Sequence, residues 1–295
     1  MKILLTGSKG MLGSDCVKVL GSDYDVIALD RKELDITKWD KVIETLRQTA
    51  PDIILNCAAF TDVDACEKEL VKARKINVEG PRNLAQGAAR FGCKFITIST
   101  DYVFGDNKII PQPHFEDDSM DPLSAYGRTK MDSELAVREN APNYIIVRSS
   151  WLYGVNGKNF ITSILSSALN NKKKTLKVVK DQLGSPTWTY RLALQIRELI
   201  KANAKGTYHA TAEGYCSRFE CAEYVLDKLK IRADLEPSTL YEYRSAAKRP
   251  LNCILENRKL KKQGIHIMAD WKEDLDTFLE ENGQDLVKRI KNGSL

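Results

Sequence analysis

The sequence predicts an α/β fold built on a doubly wound, largely parallel sheet, as one large unit or two intimate lobes. Three observations carry that expectation. Short apolar runs that do not alternate in polarity recur through the N-terminal half, each followed by a helix-length segment, the pattern of strands covered on both faces. The first run opens straight into a glycine-rich loop and then a helix. Beyond the glycine at 154, strand-like and helical segments continue to alternate.

The elements follow in order. Lys2-Ile3-Leu4-Leu5-Thr6 reads as a buried strand and ends in Gly7-Ser8-Lys9-Gly10-Met11-Leu12-Gly13. In this strand-loop-helix context Gly7 makes the tight turn and Gly10 lets the backbone approach a pyrophosphate at the positive helix end. Gly13 permits close packing of helix on strand, and Met11 and Leu12 begin the helix. A second strand, Val26-Ile27-Ala28-Leu29, ends at Asp30-Arg31. An acid there binds ribose hydroxyls and favours NADH, whereas Arg31 pairs with a 2′-phosphate and favours NADPH, so preference stays open. Asp35 and Ile36, before a helix over 38–49, are placed to flank an adenine.

The central strand, 52–57, ends in Ala58-Ala59-Phe60-Thr61, small residues that let a nicotinamide pass close to the backbone. A long helix is expected from near Cys66. It carries Asn77 between Ile76 and Val78, which reads as a buried asparagine satisfying loop backbone. A fourth strand, 95–99, delivers Thr100-Asp101-Tyr102-Val103-Phe104-Gly105 to the carboxyl edge, where ligands sit in doubly wound sheets. Then Tyr126 and Lys130 stand four positions apart, on one face of the helix that continues over 131–138. A cation beside a phenol favours its ionised form, so the pair suits proton transfer.

The later chain is expected as a helix over 159–170, a strand over 176–179, a helix over 190–202 returning to the main sheet and a strand over 206–209. Ser217 and Glu220 form a capping box for a helix to Lys228, and a closing helix runs over 271–281 with Leu275, Phe278 and Leu279 in the core. The tail, 292–295, reads as frayed.

Composition narrows the class. The 295 residues suffice for a large core, and 43% hydrophobic with 29% charged residues is ordinary for a globular protein. The formal net charge of +5 is scattered; Lys172-Lys173-Lys174 and the 259–262 cluster lack interleaved aromatics and read as solvated, which argues against nucleic acid. Neither a membrane span nor a signal peptide is recognisable, so a cytoplasmic location is expected. Seven cysteines without a Cys-x-x-Cys pair read as reduced, buried residues, and three dispersed histidines offer no metal cluster.

The ordered set of glycine loop, Asp35-Ile36, Asn56-Cys57-Ala58-Ala59, Ser99-Thr100-Asp101-Tyr102-Val103-Phe104 and Tyr126-Gly127-Arg128-Thr129-Lys130 resembles the extended short-chain dehydrogenase/reductases. Within them it is most similar to the dTDP-4-dehydrorhamnose reductase family. The similarity continues through 148–154, Lys158-Asn159-Phe160, 181–187 and Lys248-Arg249-Pro250. The resemblance implies a Rossmann-like domain of residues 1–155 plus about 188–212, and a nucleotide-sugar lobe of 156–187 and 213–295. It also implies reduction of a C4 keto group on a dTDP-linked sugar by NADPH or NADH. Thr100 would hold the keto oxygen, Tyr126 donate the proton, and Lys130 hold the ribose and tune the phenol. Asp101, Tyr102 and Trp151 would contact the sugar, with Asn159 and Arg249 at the diphosphate. Related dehydratases place Thr-Asp-Glu where this chain has Thr100-Asp101-Tyr102, which favours reduction over dehydration.

Gly105-Asp106-Asn107 departs from the usual Asp-Gly of this branch, and the following loop holds Pro111, Pro113 and Pro122. Members of the branch form homodimers in some cases and use Mg²⁺ in some, although no ligand cluster for it is evident here. Two alternatives stay open from sequence: a reductase of another 4-keto nucleotide sugar, and a non-catalytic regulatory subunit of the methionine adenosyltransferase type.

Overall fold

The N-terminal apolar runs become strands because each is covered on both faces by helices. In the computed structural model, which describes residues 1–170, 175–243 and 245–293, the chain begins β1 (Lys2–Thr6), α1 (Met11–Leu20), β2 (Asp25–Leu29), α2 (Trp39–Thr49) and β3 (Ile53–Asn56). Helices α3 (Val63–Lys68), α4 (Leu70–Arg74) and α5 (Gly80–Phe91) precede β4 (Lys94–Thr100), then α6 (Ala125–Asn140) and β5 (Tyr144–Ser149). Further on come β6 (Leu152–Tyr153), α7 (Phe160–Asn170), β7 (Leu176–Val179), β8 (Leu183–Gly184), β9 (Thr187–Trp188), α8 (Thr189–Lys201) and β10 (Gly206–His209). The chain closes through β11 (Cys216–Ser217), α9 (Arg218–Lys228), β12 (Leu235–Ser238), β13 (Asn252–Cys253), α10 (Arg258–Lys262) and α11 (Trp271–Lys291).

Six strands form one parallel sheet in the order β10-β5-β4-β3-β1-β2. The chain runs outward from β1 to β2, then returns past β1 to β3. That reversal opens a crevice between the carboxyl ends of β1 and β3, the usual ligand position in such sheets. One face is packed by α1 and α8 around Leu5, Leu55 and Ile196, the other by α2 and α5 around Leu4, Ile54 and Phe95. A second core, built on Tyr153, Leu165, Val225 and Phe278, holds α7, α9 and α11 beside the small sheets β11-β8-β13 and β12-β7.

Two features differ from the sequence expectation. The long helix from Cys66 is broken: Glu69 leaves the helical region at φ −115° and ψ 47°. Residues Lys75–Glu79 then form a wide π turn in which the Gly80 N–H reaches back to the Lys75 carbonyl. Pro81 follows; lacking an N–H, it cannot serve the carbonyl four residues back. The closing helix, in turn, runs to Lys291, because Leu286 and Ile290 continue its buried face. All seven cysteines are free thiols. Lys172–Lys174 and the last two residues of the tail lie outside the described residues.

Candidate active site

The crevice is shaped by glycine. Gly7 adopts φ +73°, and a side-chain carbon there would stand 2.7 Å from the Ala58 nitrogen. One on Gly13 would stand 2.1 Å from the Gly7 carbonyl oxygen, so α1 can only pack this closely on a glycine. Gly10 is the N-cap of α1; no side chain caps this end and its first turn holds no acid, which leaves the positive helix end open to a phosphate. A groove of about 700 Å³ runs from this loop past Asp30, Arg31, Asp35 and Ile36 to Ala58, Ala59 and Phe60. Such a groove fits an extended dinucleotide. Met11 and Leu12 form the first turn of this open helix end, while their side chains point away from the groove: Leu12 is buried under the sheet, and Met11 faces Gly154 and Asn159.

Asp30 is already engaged. Its carboxylate accepts the N–H groups of Lys32 and Glu33 at 2.7 and 3.2 Å and pairs with Lys9, which holds it below the usual carboxylate range. The adjoining rim is predominantly basic: Arg31, Lys38, Lys68, Lys72 and Lys75 line a second depression of about 650 Å³ together with Asp35 and Glu69, the latter paired with Lys72 at 2.7 Å.

Beyond the Phe60 end of the groove come the reactive groups, with Tyr126 packed against the same small apolar cluster as Phe60. Thr100 ends β4, and its hydroxyl donates to Asp101 Oδ1 at 2.9 Å. Ser124 caps α6 by accepting from the Gly127 N–H at 3.1 Å, which sets the start of the helix that bears Tyr126 and Lys130. Gly127 is glycine because the Tyr102 carbonyl would lie 2.2 Å from a side chain there. The Tyr126 phenol stands on this helix with its ring edge-on to that of Tyr102. Burial and then the Asp101 charge push that phenol well above the usual tyrosine range, so at neutral pH it holds its proton. The expected lowering by Lys130 does not occur within the protein itself. The Lys130 ammonium turns to the Ile98 carbonyl at 2.8 Å, and burial lowers it to about 8. Asn77 takes the structural role expected of it, accepting from the Phe60 N–H at 2.7 Å and donating to the Phe60 carbonyl and the Thr129 hydroxyl.

A second cavity, of about 390 Å³, opens beside Tyr102 between the sheet edge and the lobe. Trp151 forms one wall, with a positive φ of 47° and its ring packed where any side chain on Gly184 would fall. The Arg218 guanidinium lies 3.5 Å over that ring and 4.9 Å from the Phe160 ring. Arg249 lines the same cavity and donates to Asp64 at 2.7 Å. Asp101 is buried behind Tyr102, with Oδ2 lacking a hydrogen-bond partner among the described residues. Burial raises it to about 6 against the pull of the Cys253 thiol, the Thr100 hydroxyl and the Arg218 charge. Asn159 lies at the start of α7: its Oδ1 accepts from the Thr162 N–H at 3.1 Å, and its amide donates to the Gly154 carbonyl at 3.0 Å. Its polar atoms are thus spent on backbone. The Asp106 departure has a local purpose, for its carboxylate accepts the Leu251 N–H at 2.7 Å and pins the loop after β4 to the segment following Arg249.

Tyr126 links the two spaces, packed on the same small cluster as Phe60 of the groove and edge-on to Tyr102 of the cavity, an arrangement that suits reduction of a nucleotide-linked sugar. A family model described as the RmlD substrate binding domain matches residues 1–283. The chain belongs to this family. It is 37% identical to the spore coat polysaccharide biosynthesis protein SpsK of Bacillus subtilis over 281 residues, covering 95% of this chain and 97% of that one. The crystal structure of a dTDP-4-dehydrorhamnose reductase from Clostridium acetobutylicum superposes with a TM-score of 0.92 at 38% identity, covering 96% of this chain and all of the other. That of the Bacillus anthracis dTDP-4-dehydrorhamnose reductase in complex with NADP gives 0.91 at 36% identity, covering 95% and 99%. As a member of this family the chain is a nicotinamide-dependent oxidoreductase.

Sequence reasoning overlooked several residues of this RmlD-family cavity. Arg218 was visible only as the residue after a helix cap, and Gln182 only within a motif, yet both line the cavity with Tyr243. The Trp151–Arg218 contact joins distant positions, and no local periodicity reports it. No helix is long and apolar enough to cross a membrane, and no group of three or more potential ligands stands in metal-holding geometry among the described residues.

Proposed function

We propose that the chain reduces the C4 keto group of dTDP-4-dehydro-L-rhamnose to give dTDP-L-rhamnose, using NADPH in the cytosol. The observation that carries this reading is the position of Tyr126, which packs on the same small apolar cluster as Phe60 of the groove and edge-on to Tyr102 of the aromatic-walled cavity, with Thr100 at the end of β4 and Lys130 one turn along its own helix.

The dinucleotide, when bound, supplies the hydride. The protein supplies the rest. Thr100 orients the keto oxygen by hydrogen bonding, and the buried phenol of Tyr126 gives it a proton as negative charge develops. The Lys130 ammonium, one turn further on, favours the phenolate that remains and holds the ribose. Trp151 and Tyr102 wall the sugar, while Arg218 and Arg249 face the diphosphate with planar donors. Tyr102 also occupies the position where elimination would require a carboxylate. The choice of NADPH rests on the basic rim: Arg31, Lys38 and Lys75 gather at the adenosine end, whereas the Asp30 carboxylate is taken up by Lys9 and the turn.

The test is turnover. Purified protein with dTDP-4-dehydro-L-rhamnose should oxidise NADPH, with a higher kcat/KM than for NADH, and yield dTDP-L-rhamnose by mass and NMR. Cofactor binding without turnover would overturn the rhamnose assignment.

A further inference from the structure

Along one face of α6, Tyr126, Lys130 and Glu134 recur at four-residue spacing. Glu134 is 1% exposed, yet it is an ionised carboxylate with a full set of donors. Arg148 donates to both its oxygens at 2.8 Å, Ser99 to Oε1 at 2.6 Å and Arg138 to Oε2 at 2.7 Å. Those partners are well placed. Ser99 immediately precedes Thr100 on β4, and Arg148 lies on β5, which leads through Ser149 and Ser150 to Trp151. One carboxylate therefore ties the helix bearing the phenol and the amine to the strand bearing Thr100 and to the strand feeding the sugar wall.

Glu134 follows Lys130 by one helical turn; its carboxylate pairs with Arg148 and Arg138 and makes no ion pair within 4 Å with the Lys130 ammonium, which is buried and donates to the Ile98 carbonyl. An ammonium so enclosed, without a negative charge close by, reverts to the neutral amine. The other titratable or charged groups around this face are Tyr126 and Arg138 on α6, Cys66 on α3, Asp101 beyond Thr100 and Arg148 on β5. Asp101 is directed to Thr100, and Arg148 is turned to Glu134.

We propose that Glu134 is a positioning residue of the active site: it clamps the Tyr126–Lys130 face against β4 and supplies the negative charge that keeps Lys130 an ammonium. The idea rests on the reductase reading and deepens it, since Glu134 touches neither substrate nor cofactor. The direction of each titration agrees. Burial lowers Lys130 and Glu134 raises it; burial opposes ionisation of Glu134, but Arg148, Ser99 and Arg138 hold it below the usual range.

The experiment compares wild type, Glu134→Gln and Glu134→Asp as full-length chains. Two quantities are read: the pH profile of kcat/KM with NADPH and dTDP-4-dehydro-L-rhamnose, and the NMR titration of the Lys130 ε-methylene in isotope-labelled protein, assigned with Lys130→Met. Removing the charge in Glu134→Gln should move the Lys130 midpoint and the alkaline limb down by about one pH unit or more. Its kcat should fall about tenfold or more at alkaline pH with KM nearly unchanged. Glu134→Asp should keep the midpoint but lose about tenfold in kcat, because the shortened side chain slackens the clamp. A rate loss in Glu134→Gln with an unmoved Lys130 midpoint would reduce Glu134 to a structural residue and overturn the proposal. Should Glu134→Gln fail to fold, the aspartate variant decides, and an unchanged kcat overturns the clamp. If wild type turns nothing over, the reductase reading fails, while the NMR titration of Glu134→Gln still shows whether this carboxylate sets the charge of Lys130.

Discussion

The Tyr126 ring meets the Tyr102 ring edge-on, with centroids 5.7 Å apart and planes inclined at 71°. A phenylalanine at position 126 keeps that contact and loses only the hydroxyl. Tyr126→Phe should therefore melt within a degree or two of wild type and bind NADPH as well, yet lose about 10²-fold or more in kcat. Stopped-flow turnover beside a cofactor titration checks both halves. A variant with wild-type kcat would remove Tyr126 as the proton donor.

Asp101 yields a prediction with a sign in pH. Burial raises its carboxyl to about 6, above the unfolded value, so ionising it costs the folded state stability. The cost is absent below about pH 4, where both states are protonated, grows as pH rises toward 6 and is constant above. Asp101→Asn should thus be more stable than wild type at pH 8, by on the order of 2 kcal/mol, and match it near pH 4. Denaturant melts across that range test the sign; an advantage that grew on acidification would refute it.

Gly7→Ala sets a side chain against the Ala58 backbone in a left-handed turn. The strain and the forced shift should cost about 2–4 kcal/mol. They should also weaken NADPH binding, since the crevice between β1 and β3 must open. Thermal melts and a fluorescence titration of NADPH measure the two effects.

Arg218→Ala leaves Trp151 and Phe160 in place but takes away the cation between them and the cavity. The KM for the nucleotide sugar should rise about tenfold or more, with kcat and the KM for NADPH little changed. A drop confined to kcat would place Arg218 in the chemistry instead.

Arg31→Ala tests the basic rim. Its loss should raise the KM for NADPH about tenfold while leaving that for NADH nearly unchanged, because only the former carries a 2′-phosphate. Equal effects on both cofactors would show that Arg31 faces the shared adenosine rather than the phosphate.

Much of the fold was legible in local patterns. The apolar runs at β1 and β4, the Ser217–Glu220 box and the Tyr126–Lys130 spacing each lie within a few residues, where periodicity and capping act directly. The unbroken helix expected from Cys66 failed for an equally physical reason: the break at Glu69 and the wide turn before Pro81 serve the Phe60 loop through Asn77, a contact between distant elements. At the site, spacing alone suggested that Lys130 would lower the Tyr126 phenol. The Lys130 ammonium turns to the Ile98 carbonyl instead, and burial with the Asp101 charge raises the phenol.

The sequence by itself determined the order and type of the main elements, the glycine turn and the chemical identities of the reactive groups. These depend on side-chain volume, backbone freedom and helical spacing, which are properties of short stretches. Only the tertiary structure decided that Asp30 is occupied by Lys9, that Asn159 spends its polar atoms on backbone, that Arg218 covers Trp151 and that Glu134 joins α6 to two strands. Those pairings arise when packing brings remote side chains into a low-dielectric interior, where each buried charge or amide must find a partner.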